Sequence, residues 1–296
     1  MTFINLLSIM KEFIKVVVTS LPNDVANALR RVCESEEGIT KHVCDYMLKN
    51  VYLASKTHKP LCQDTGTLMF FIKAGSKSPY FNVLKKVIVE AVKELTKEGL
   101  LRPNSIDPFT NINTGDNTGR YIPWIEWDIV DDSDITEVTL YVAGGGSSLP
   151  ARALVVRPTD GLDELVKLVF DIVPTYGIDA CPPLIVGIGI GATLEIAATL
   201  SKRALLKPVG ARNPNPKVAK LETLLLSKLN DIGIGPQGLF GKTFVLDVHI
   251  EYSYRHPATY AIALSLSCWA LRRGILALYP EGRAYVSSHG VWLEGT

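Results

Sequence analysis

A continuous apolar run from Leu184 to Ile190 constrains the fold of this chain most. The run is far shorter than the roughly 20 residues that a bilayer requires, and it is typical of a strand buried on both faces. Helical patterns lie on either side of it, over Asp163–Val173 and Leu194–Leu205. Glycine occupies positions 187, 189 and 191. We interpret these glycines as sites of close packing, before a helix whose N-terminus can face an anion.

The rest of the chain also alternates between strand and helix patterns. Strands are predicted at Leu68–Ile72, Trp124–Val130, Ile135–Val142 and Thr243–Ile250, and helices at about Leu21–Leu53 and at Phe81–Leu100, Lys217–Leu229 and Thr259–Arg272. The acidic turn Asp131–Asp134 reads as the tip of a hairpin between two of the strands. Strict strand–helix–strand regularity is missing. The pattern therefore predicts a mixed α/β, α+β-like fold with small mixed sheets flanked by helices.

Composition excludes several classes of function. The chain has 296 residues, of which 47% are apolar and 21% charged, as in an ordinary globular protein. Its formal net charge is only +1, so we expect it to bind neither nucleic acid nor an acidic membrane. The N-terminus lacks a basic region and a cleavage site, so we expect no signal peptide and a cytoplasmic location.

Five cysteines, an odd number at wide spacing, do not suit a disulfide scaffold. Cys33 and Cys44 lie in a helical region and read as ordinary thiols. Cys62 and Cys181 each come just before a strand, and Cys268 falls in the predicted last helix. No closely spaced pair suggests zinc. Three thiols from distant segments suit a [4Fe–4S] cluster with one open iron, while unrelated buried cysteines remain the alternative.

The segments around these three cysteines resemble the class I fumarase and tartrate dehydratase family of iron–sulfur hydro-lyases. The motifs that carry the resemblance are Leu61–Gly66, Cys181–Pro183 with Gly187–Gly191, Gly233–Leu239, Val248–Glu251 and Cys268–Arg273. The resemblance implies a single α-type catalytic domain over residues 1–296, with a helical N-terminal part at about 1–58. It also implies a [4Fe–4S] cluster with Cys62, Cys181 and Cys268 as ligands, whose open iron acts as a Lewis acid.

The resemblance further implies the residues that meet a small dicarboxylate substrate. The implied contacts are Gln63, Asp64, Arg102, Gly145 in the run Gly144–Gly146, and His256. Asp64 and His256 are the candidates for local acid or base, with a turn cap for Asp64 and a helix cap for His256 as the structural alternatives. His249 lies within a predicted strand and reads as structural. The basic pair Arg272–Arg273 could reach a substrate or partner, or lie at a helix C-terminus.

Two departures from the fumarase pattern refine the expectation. The segment Ala143–Pro150, together with Asn113–Gly119 and Arg255–Pro257, is closer to the tartrate branch of the family. L-Tartrate dehydration to oxaloacetate is therefore favoured, with fumarate and L-malate interconversion as the other candidate.

Single-chain members carry a second domain after the third cysteine. We therefore expect a separate β subunit to complete the active site in a hetero-oligomer.

Two other functions remain open on the residues alone. Gly187–Gly191 after a buried strand invites a nucleotide-dependent oxidoreductase, but the expected acidic residue about 20 positions on is replaced by the proline-broken loop Lys207–Pro214. A non-enzymatic iron–sulfur protein is the other alternative.

Overall fold

Two mixed β-sheets with helices packed on them form the fold, in a computed structural model that describes residues 3–295. The mixed α/β class predicted from the sequence is confirmed. The chain divides into two compact units. The first unit comprises residues 3–23, 50–143 and 272–295, and the second comprises residues 24–49 and 144–271. A single catalytic domain over 1–296 stays a prediction.

The elements follow in chain order. The helices are α1 (Phe3–Thr19), α2 (Asn23–Ser35), α3 (Gly38–Thr57), α4 (Leu84–Lys97), α5 (Gly145–Ser148), α6 (Gly161–Tyr176), α7 (Leu194–Ala204) and α8 (Pro216–Asn230). The strands are β1 (Thr67–Gly75), β2 (Trp124–Val130), β3 (Thr136–Ala143), β4 (Arg152–Val156), β5 (Leu184–Gly191), β6 (Val245–Tyr252), β7 (Tyr260–Ser267), β8 (Arg273–Leu278), β9 (Ala284–Val286) and β10 (Val291–Leu293). Short 3-10 turns lie at Gly177–Ala180 and Pro236–Gly238.

The first unit is built on a six-stranded sheet in the order β10-β9-β8-β3-β1-β2. Its neighbouring strands are antiparallel except β1 and β2, which are parallel. Alternate residues of β1, including Leu68, Phe70 and Ile72, join the buried faces of α1 and α4 in one core. Helix α1 lies close against β8, since a Cβ at Gly274 would overlap Val17 and Phe13. This core supports the end of β1 from which the Cys62 loop extends.

The second unit is built on a four-stranded sheet in the order β4-β7-β5-β6, in which only β5 and β6 are parallel. Leu184, Val186 and Ile188 of β5 pack with the buried residues of α6 and α8. Side chains alternate across a strand, so the glycines of β5 face the other side of the sheet, where α7 lies. The central strand is therefore buried on both faces, as predicted.

Helix α7 packs directly on the glycine face of β5. A Cβ at Gly187 would overlap the carbonyl oxygen of Ser201, and one at Gly189 would overlap that of Ala197. At Gly191 the added atom would come within 2.6 Å of the Ala197 backbone nitrogen. The close-packing interpretation of these glycines is confirmed.

The predicted helix at Thr259–Arg272 is wrong. Residues Tyr260–Ser267 form β7, and Cys268 lies in the connection that leads to β8. Both faces of β7 are buried, so its apolar residues form a continuous run that periodicity cannot separate from a buried helix. Small residues Ala261 and Ala263 face Ala197 of α7 there.

The predicted hairpin between β2 and β3 is also wrong. Strand β1 lies between them, parallel to β2 and antiparallel to β3. The acidic segment Asp131–Asp134 joins β2 to β3, which are not neighbours in the sheet. Both strands pair instead with β1, which precedes them in the chain. No helix within residues 3–295 is both long enough and apolar enough to cross a membrane.

Gly189→Ala tests the packing of α7 on β5. The added methyl must displace the helix backbone at Ala197, so we expect the free energy of unfolding to fall by about 3 kcal/mol. Urea unfolding followed by circular dichroism measures the loss. Gly119→Ala is the matched control, because the nearest atom to its added Cβ is Thr114 Cγ2 at 3.9 Å. Equal stability of the two variants would contradict the packing.

Candidate active site

The Cys62–Gly66 loop in the first unit is shaped by Asp64. Its Oδ1 accepts hydrogen bonds from the Gly66 backbone N–H at 2.8 Å and from Asn104 Nδ2 at 3.3 Å. Gly66 has a φ of +64°, and a Cβ there would meet the Ala143 carbonyl oxygen at 2.7 Å. Asp64 therefore caps this turn. A carboxylate has about four acceptor positions, so capping leaves capacity for a substrate contact.

Arg102 and Gln63 meet on the surface of the same unit. The Arg102 Nη1 donates to Gln63 Oε1, and both side chains are exposed. The backbone of Arg102 is held in place, since its N–H donates to Thr65 Oγ1 at 2.8 Å and its carbonyl accepts from Asn117 Nδ2 at 2.9 Å. The first unit thus brings together three predicted substrate contacts, Gln63, Asp64 and Arg102.

Arg272, one of the basic pair noted in the sequence, supports Asp64 through a contact that the sequence did not reveal. Its side chain is buried, and Nη1 donates to the Asp64 carbonyl oxygen at 2.6 Å. Arg272 lies directly before β8 and Arg273 is the first residue of that strand, so their interpretation as a helix C-terminal pair is wrong. The burial of Arg272 and Arg273 could not be read from the sequence, because it depends on β7, the strand that forms where a helix was predicted.

Cys181 and the residue after Cys268 are in direct contact in the second unit. Cys181 ends the turn Gly177–Ala180 with a left-handed φ of 57°, and its carbonyl oxygen accepts from the Trp269 backbone N–H at 3.2 Å. Ile185 pairs with Ser267 in the antiparallel β5–β7 ladder. The loop before β5 and the residues after β7 therefore lie at one edge of the sheet, which brings two of the three candidate ligands together.

Gln237 holds the loop that carries Cys181. Both its backbone N–H and its Nε2 donate to the Pro182 carbonyl oxygen, at 3.0 and 2.6 Å. The left-handed φ of 54° at Gln237 aims both donors at the same oxygen. The sequence contained Gln237 within a family motif but gave no signal for this role.

The loop that carries Gln237 is itself anchored by a buried carboxylate. Glu36 Oε1 accepts the backbone N–H groups of Lys242 at 3.0 Å and Thr243 at 2.9 Å. Thr40 Oγ1 donates to the Phe240 carbonyl oxygen at 2.7 Å. The N-terminal helices of the second unit therefore stabilise the segment that positions the Cys181 loop.

The glycine run lies beside the same turn. Gly145 begins α5, and a Cβ at Gly146 would lie 3.4 Å from the Asp179 carbonyl oxygen, two residues before Cys181. Gly145 is exposed. Its exposed backbone is thus close to the Cys181 loop, as a substrate contact at that edge requires.

His256 is placed apart from this edge. It is exposed in the loop before β7, and its Nδ1 accepts the Ala258 N–H at 3.1 Å. The helix that it was expected to cap does not exist. Strand β7 has eight residues between this loop and Cys268, which places the two ends roughly 26 Å apart. The structure therefore does not bring His256 together with Cys181 and Cys268, and its catalytic role stays a prediction.

His249 is fully buried in β6, with Nε2 3.4 Å from Asp247 Oδ2. This burial agrees with its structural interpretation.

The five cysteines fall into two groups. Cys33 and Cys44 are fully buried, and the hydrogen bond between their thiols raises the pKa of Cys33 and lowers the pKa of Cys44. Cys62, Cys181 and Cys268 reach the surface of loops, and all five thiols are free of disulfides. Among residues 3–295, no three His, Cys, Asp or Glu side chains converge as ligands of one metal ion.

The donor chemistry of the three loop cysteines fits an iron–sulfur cluster, because such clusters take free thiolates as ligands. Cys181 and Cys268 come from adjoining segments of the second unit, and Cys62 comes from the loop of the first unit that also carries Gln63 and Asp64. The buried thiol pair has no such access.

Comparison with known proteins gives one family for nearly the whole chain. Residues 7–276 match the family profile described as fumarate hydratase (fumerase). The chain is 43% identical to the L(+)-tartrate dehydratase subunit alpha of Escherichia coli (strain K12). The alignment extends over 277 residues and covers 93% of this chain and 91% of the relative. A Methanocaldococcus jannaschii relative that provisionally carries the same subunit name is 37% identical over 269 residues, covering 89% of this chain and 94% of the relative.

Gln237→Leu tests the support of the Cys181 loop. The substitution removes the Nε2 hydrogen bond to Pro182, so we expect a loss of about 1 kcal/mol in stability and faster labelling of Cys181 by a thiol reagent. Labelling of the metal-free protein, followed by peptide mass spectrometry, measures the rate at each cysteine. Thr223→Val on the exposed face of α8 removes one hydrogen bond elsewhere and should leave the Cys181 rate unchanged. An unchanged rate in Gln237→Leu would show that the side chain does not hold the loop.

Proposed function

This chain belongs to the fumarate hydratase (fumerase) family, and we propose that it is the α subunit of a hydro-lyase acting on small hydroxy-dicarboxylic acids. The family match over residues 7–276 and the names of the relatives support this function. The observation that carries it is the grouping of Gln63, Asp64 and Arg102 on one surface of the first unit. A fixed guanidinium beside amide and carboxylate groups suits a substrate with carboxylate and hydroxyl groups.

Within this proposal, Cys62, Cys181 and Cys268 are the residues that would hold a [4Fe–4S] cluster. All three lie on loops and none of them takes part in a disulfide, which supports the assignment. A cluster with three protein thiolates supplies one open iron, which acts as a Lewis acid toward the hydroxyl oxygen that leaves. Free thiols and such a cluster also favour the reducing conditions of the cytoplasm.

The protein's own residues bind and orient the substrate. Arg102 presents a planar guanidinium, which makes a bidentate contact with a substrate carboxylate. Gln63 restrains that guanidinium by accepting from Nη1. Gly145 is exposed at the start of α5, where the missing side chain permits a substrate oxygen to approach closely. Binding in a fixed orientation lowers the barrier of the chemical step. The substrate has then already lost its translational and rotational freedom on association.

Asp64 is the proposed proton-transfer residue of this chain. Dehydration removes a hydroxyl group from one carbon and a proton from its neighbour, so the leaving oxygen needs a proton or an equivalent positive charge. The Asp64 turn is fixed by Gly66, Asn104 and the Arg272 guanidinium. The carboxyl group accepts two of these bonds at Oδ1 and the backbone carbonyl oxygen accepts the third, so Asp64 is well placed to hydrogen-bond the substrate hydroxyl and to transfer a proton to or from it.

L-Tartrate, dehydrated to oxaloacetate, is the substrate that we favour, with fumarate and L-malate as the alternative pair. The names of the two relatives, which match this chain over 89–93% of its length, support tartrate. The same names, which describe an alpha subunit, support a separate β subunit in a hetero-oligomer that supplies the remaining proton-transfer groups. A nucleotide-dependent oxidoreductase is disfavoured, since the α7 backbone lies against the glycines of β5.

Substitution of single cysteines tests the cluster. Cys62→Ser, Cys181→Ser and Cys268→Ser should each lose iron and visible absorbance after anaerobic reconstitution, because a hydroxyl is a poor substitute for thiolate. Cys33→Ser and Cys44→Ser serve as matched controls at buried, non-ligand thiols. Iron and sulfide analysis per chain gives the result. Full iron content in any of the first three variants would remove that residue from the ligand set.

Arg102→Ala tests substrate binding and the function itself. The chain, co-expressed anaerobically with its second subunit, is assayed against L-tartrate, L-malate and fumarate. Loss of a charge-assisted contact of about 2 kcal/mol should lower kcat/KM roughly 30-fold for the true substrate. Arg102→Lys should recover part of this loss, since it keeps the charge but not the planar fork.

Arg120→Ala is the control for this assay, because Arg120 is an exposed arginine of the same unit that stacks on Tyr121. It should leave kcat/KM unchanged. A cluster-loaded wild-type complex that converts none of the three acids would overturn the proposed function.

A further inference from the structure

We propose that a pocket at the edge of the six-stranded sheet binds an organic anion with a planar, apolar body. The pocket lies in the first unit, between α4 and the segment that leads into the edge strand β2, and its volume is about 480 Å³. A volume of this size is typical of sites for small molecules. The inference goes beyond the proposed function, because none of the lining residues is a proposed substrate contact or cluster ligand.

Most of the pocket lining is apolar. Its apolar and aromatic members are Val89, Tyr121, Ile122, Pro123, Trp124 and Ile125. Pro123 is buried and Ile125 packs against the core of the unit, so this part of the lining is fixed by the fold. Trp124 is 44% exposed. An aromatic ring in contact with water gains by stacking on a flat apolar ligand, which favours a ligand with a ring system.

Two lysines from one side of α4 add positive charge to the pocket. Lys85, Val89 and Lys93 are spaced by four residues, so they follow one another along the same side of the helix. Eight residues of helix rise by about 12 Å, so the lysines lie on either side of the apolar contact at Val89. This row presents cationic groups around an apolar centre.

The acidic residues of α4 form a separate row. Glu94 and Glu98 both accept from Lys11 Nζ of α1, each at 2.6 Å, and Glu90 lies one turn earlier in the same row. These carboxylates therefore lie along the side of the helix that faces α1. The separation of the two rows leaves the charge of Lys85 and Lys93 directed to the pocket.

Carboxylates of the opposite wall do not cancel this charge. Asp116 interacts with Lys93, but its Oδ1 accepts from the N–H of Thr118 at 3.0 Å and from its Oγ1 at 2.7 Å. Glu126 and Asp128 follow the last lining residue and lie on the face of β2 that points away from α4, since side chains alternate along a strand. The pocket keeps a positive balance, which complements an anion.

The class of ligand follows from the lysines and the aromatic ring together. An ammonium group is a point charge without the planar fork that selects a carboxylate, so a phosphate satisfies it as well as a carboxylate does. A small hydroxy-dicarboxylic acid has no ring to cover Trp124. Nucleoside monophosphates and aromatic carboxylates both combine a ring with an anionic group.

The pocket adjoins the proposed substrate contacts without sharing a residue with them. Thr118 lines the pocket, and Asn117 before it is buried. Asn117 Nδ2 donates to the Arg102 carbonyl oxygen at 2.9 Å, and its Oδ1 accepts from the Asn104 N–H at 2.7 Å. Binding at the pocket and binding at Arg102 can therefore be measured separately.

Titration calorimetry of the chain with two anionic probes tests the pocket. Adenosine monophosphate carries its charge on a phosphate and naphthoate carries its charge on a carboxylate, while adenosine and naphthamide are their neutral counterparts. We expect an anionic probe to bind roughly tenfold more tightly than its neutral counterpart, because the lysines attract only the charged form. The probe that binds more tightly identifies the anionic group, and either order supports the pocket.

Four single substitutions locate the binding. Lys85→Gln and Lys93→Gln each remove one charge and should weaken the anionic probe roughly fivefold, whereas Trp124→Ala should weaken the charged and neutral probes alike. Lys86→Gln is the matched control, because Lys86 is the exposed neighbour of Lys85 on α4 but points to Phe3 rather than to the pocket. Its affinity for the probe should stay within about twofold of wild type.

Failure of both anionic probes to bind overturns the inference, as does equal binding of charged and neutral probes. Equal losses in Lys86→Gln and Lys85→Gln would assign the effect to the general charge of α4 and overturn it as well. Displacement of the probe by L-tartrate, L-malate or fumarate, or loss of binding in Arg102→Ala, would place the probe at the substrate contacts and also overturn the inference. None of these results depends on hydro-lyase activity, so the proposed function is tested separately by its own assay.

Discussion

Direct contact between the backbone of α7 and the glycine face of β5 is the constraint on which the second unit depends. Added Cβ atoms at Gly187 and Gly189 would occupy the same space as helix carbonyl oxygens, so helix and sheet are as close as their backbones allow. Protein interiors transmit such constraints because they are packed as densely as crystals. The position of β5 in turn sets where the loop with Cys181 emerges, beside the end of β7.

Three of the hydrogen bonds that support the candidate site residues are accepted by backbone carbonyl oxygens. Arg272 donates to the carbonyl of Asp64, Gln237 to that of Pro182, and the Trp269 N–H to that of Cys181. Hydrogen bonds to the backbone fix the position of a loop without using the functional side chain as the anchor. Such support from neighbouring residues is what holds reactive groups within the narrow tolerance that catalysis requires.

The sequence alone determined the fold class, the buried strand at Leu184–Ile190 and the family, because these depend on local periodicity and on contiguous motifs. It also named Gln63, Asp64 and Arg102 as candidate substrate contacts, and the structure places these three residues near one another. Tertiary structure decided that Tyr260–Ser267 is a strand, because burial on both faces erases the period that separates strand from helix. It also decided that Arg272 supports Asp64 across 208 positions of sequence and that the length of β7 separates His256 from Cys268. Contacts between distant segments depend on how the sheets pair and pack, and a single sequence carries no local signal for that pairing.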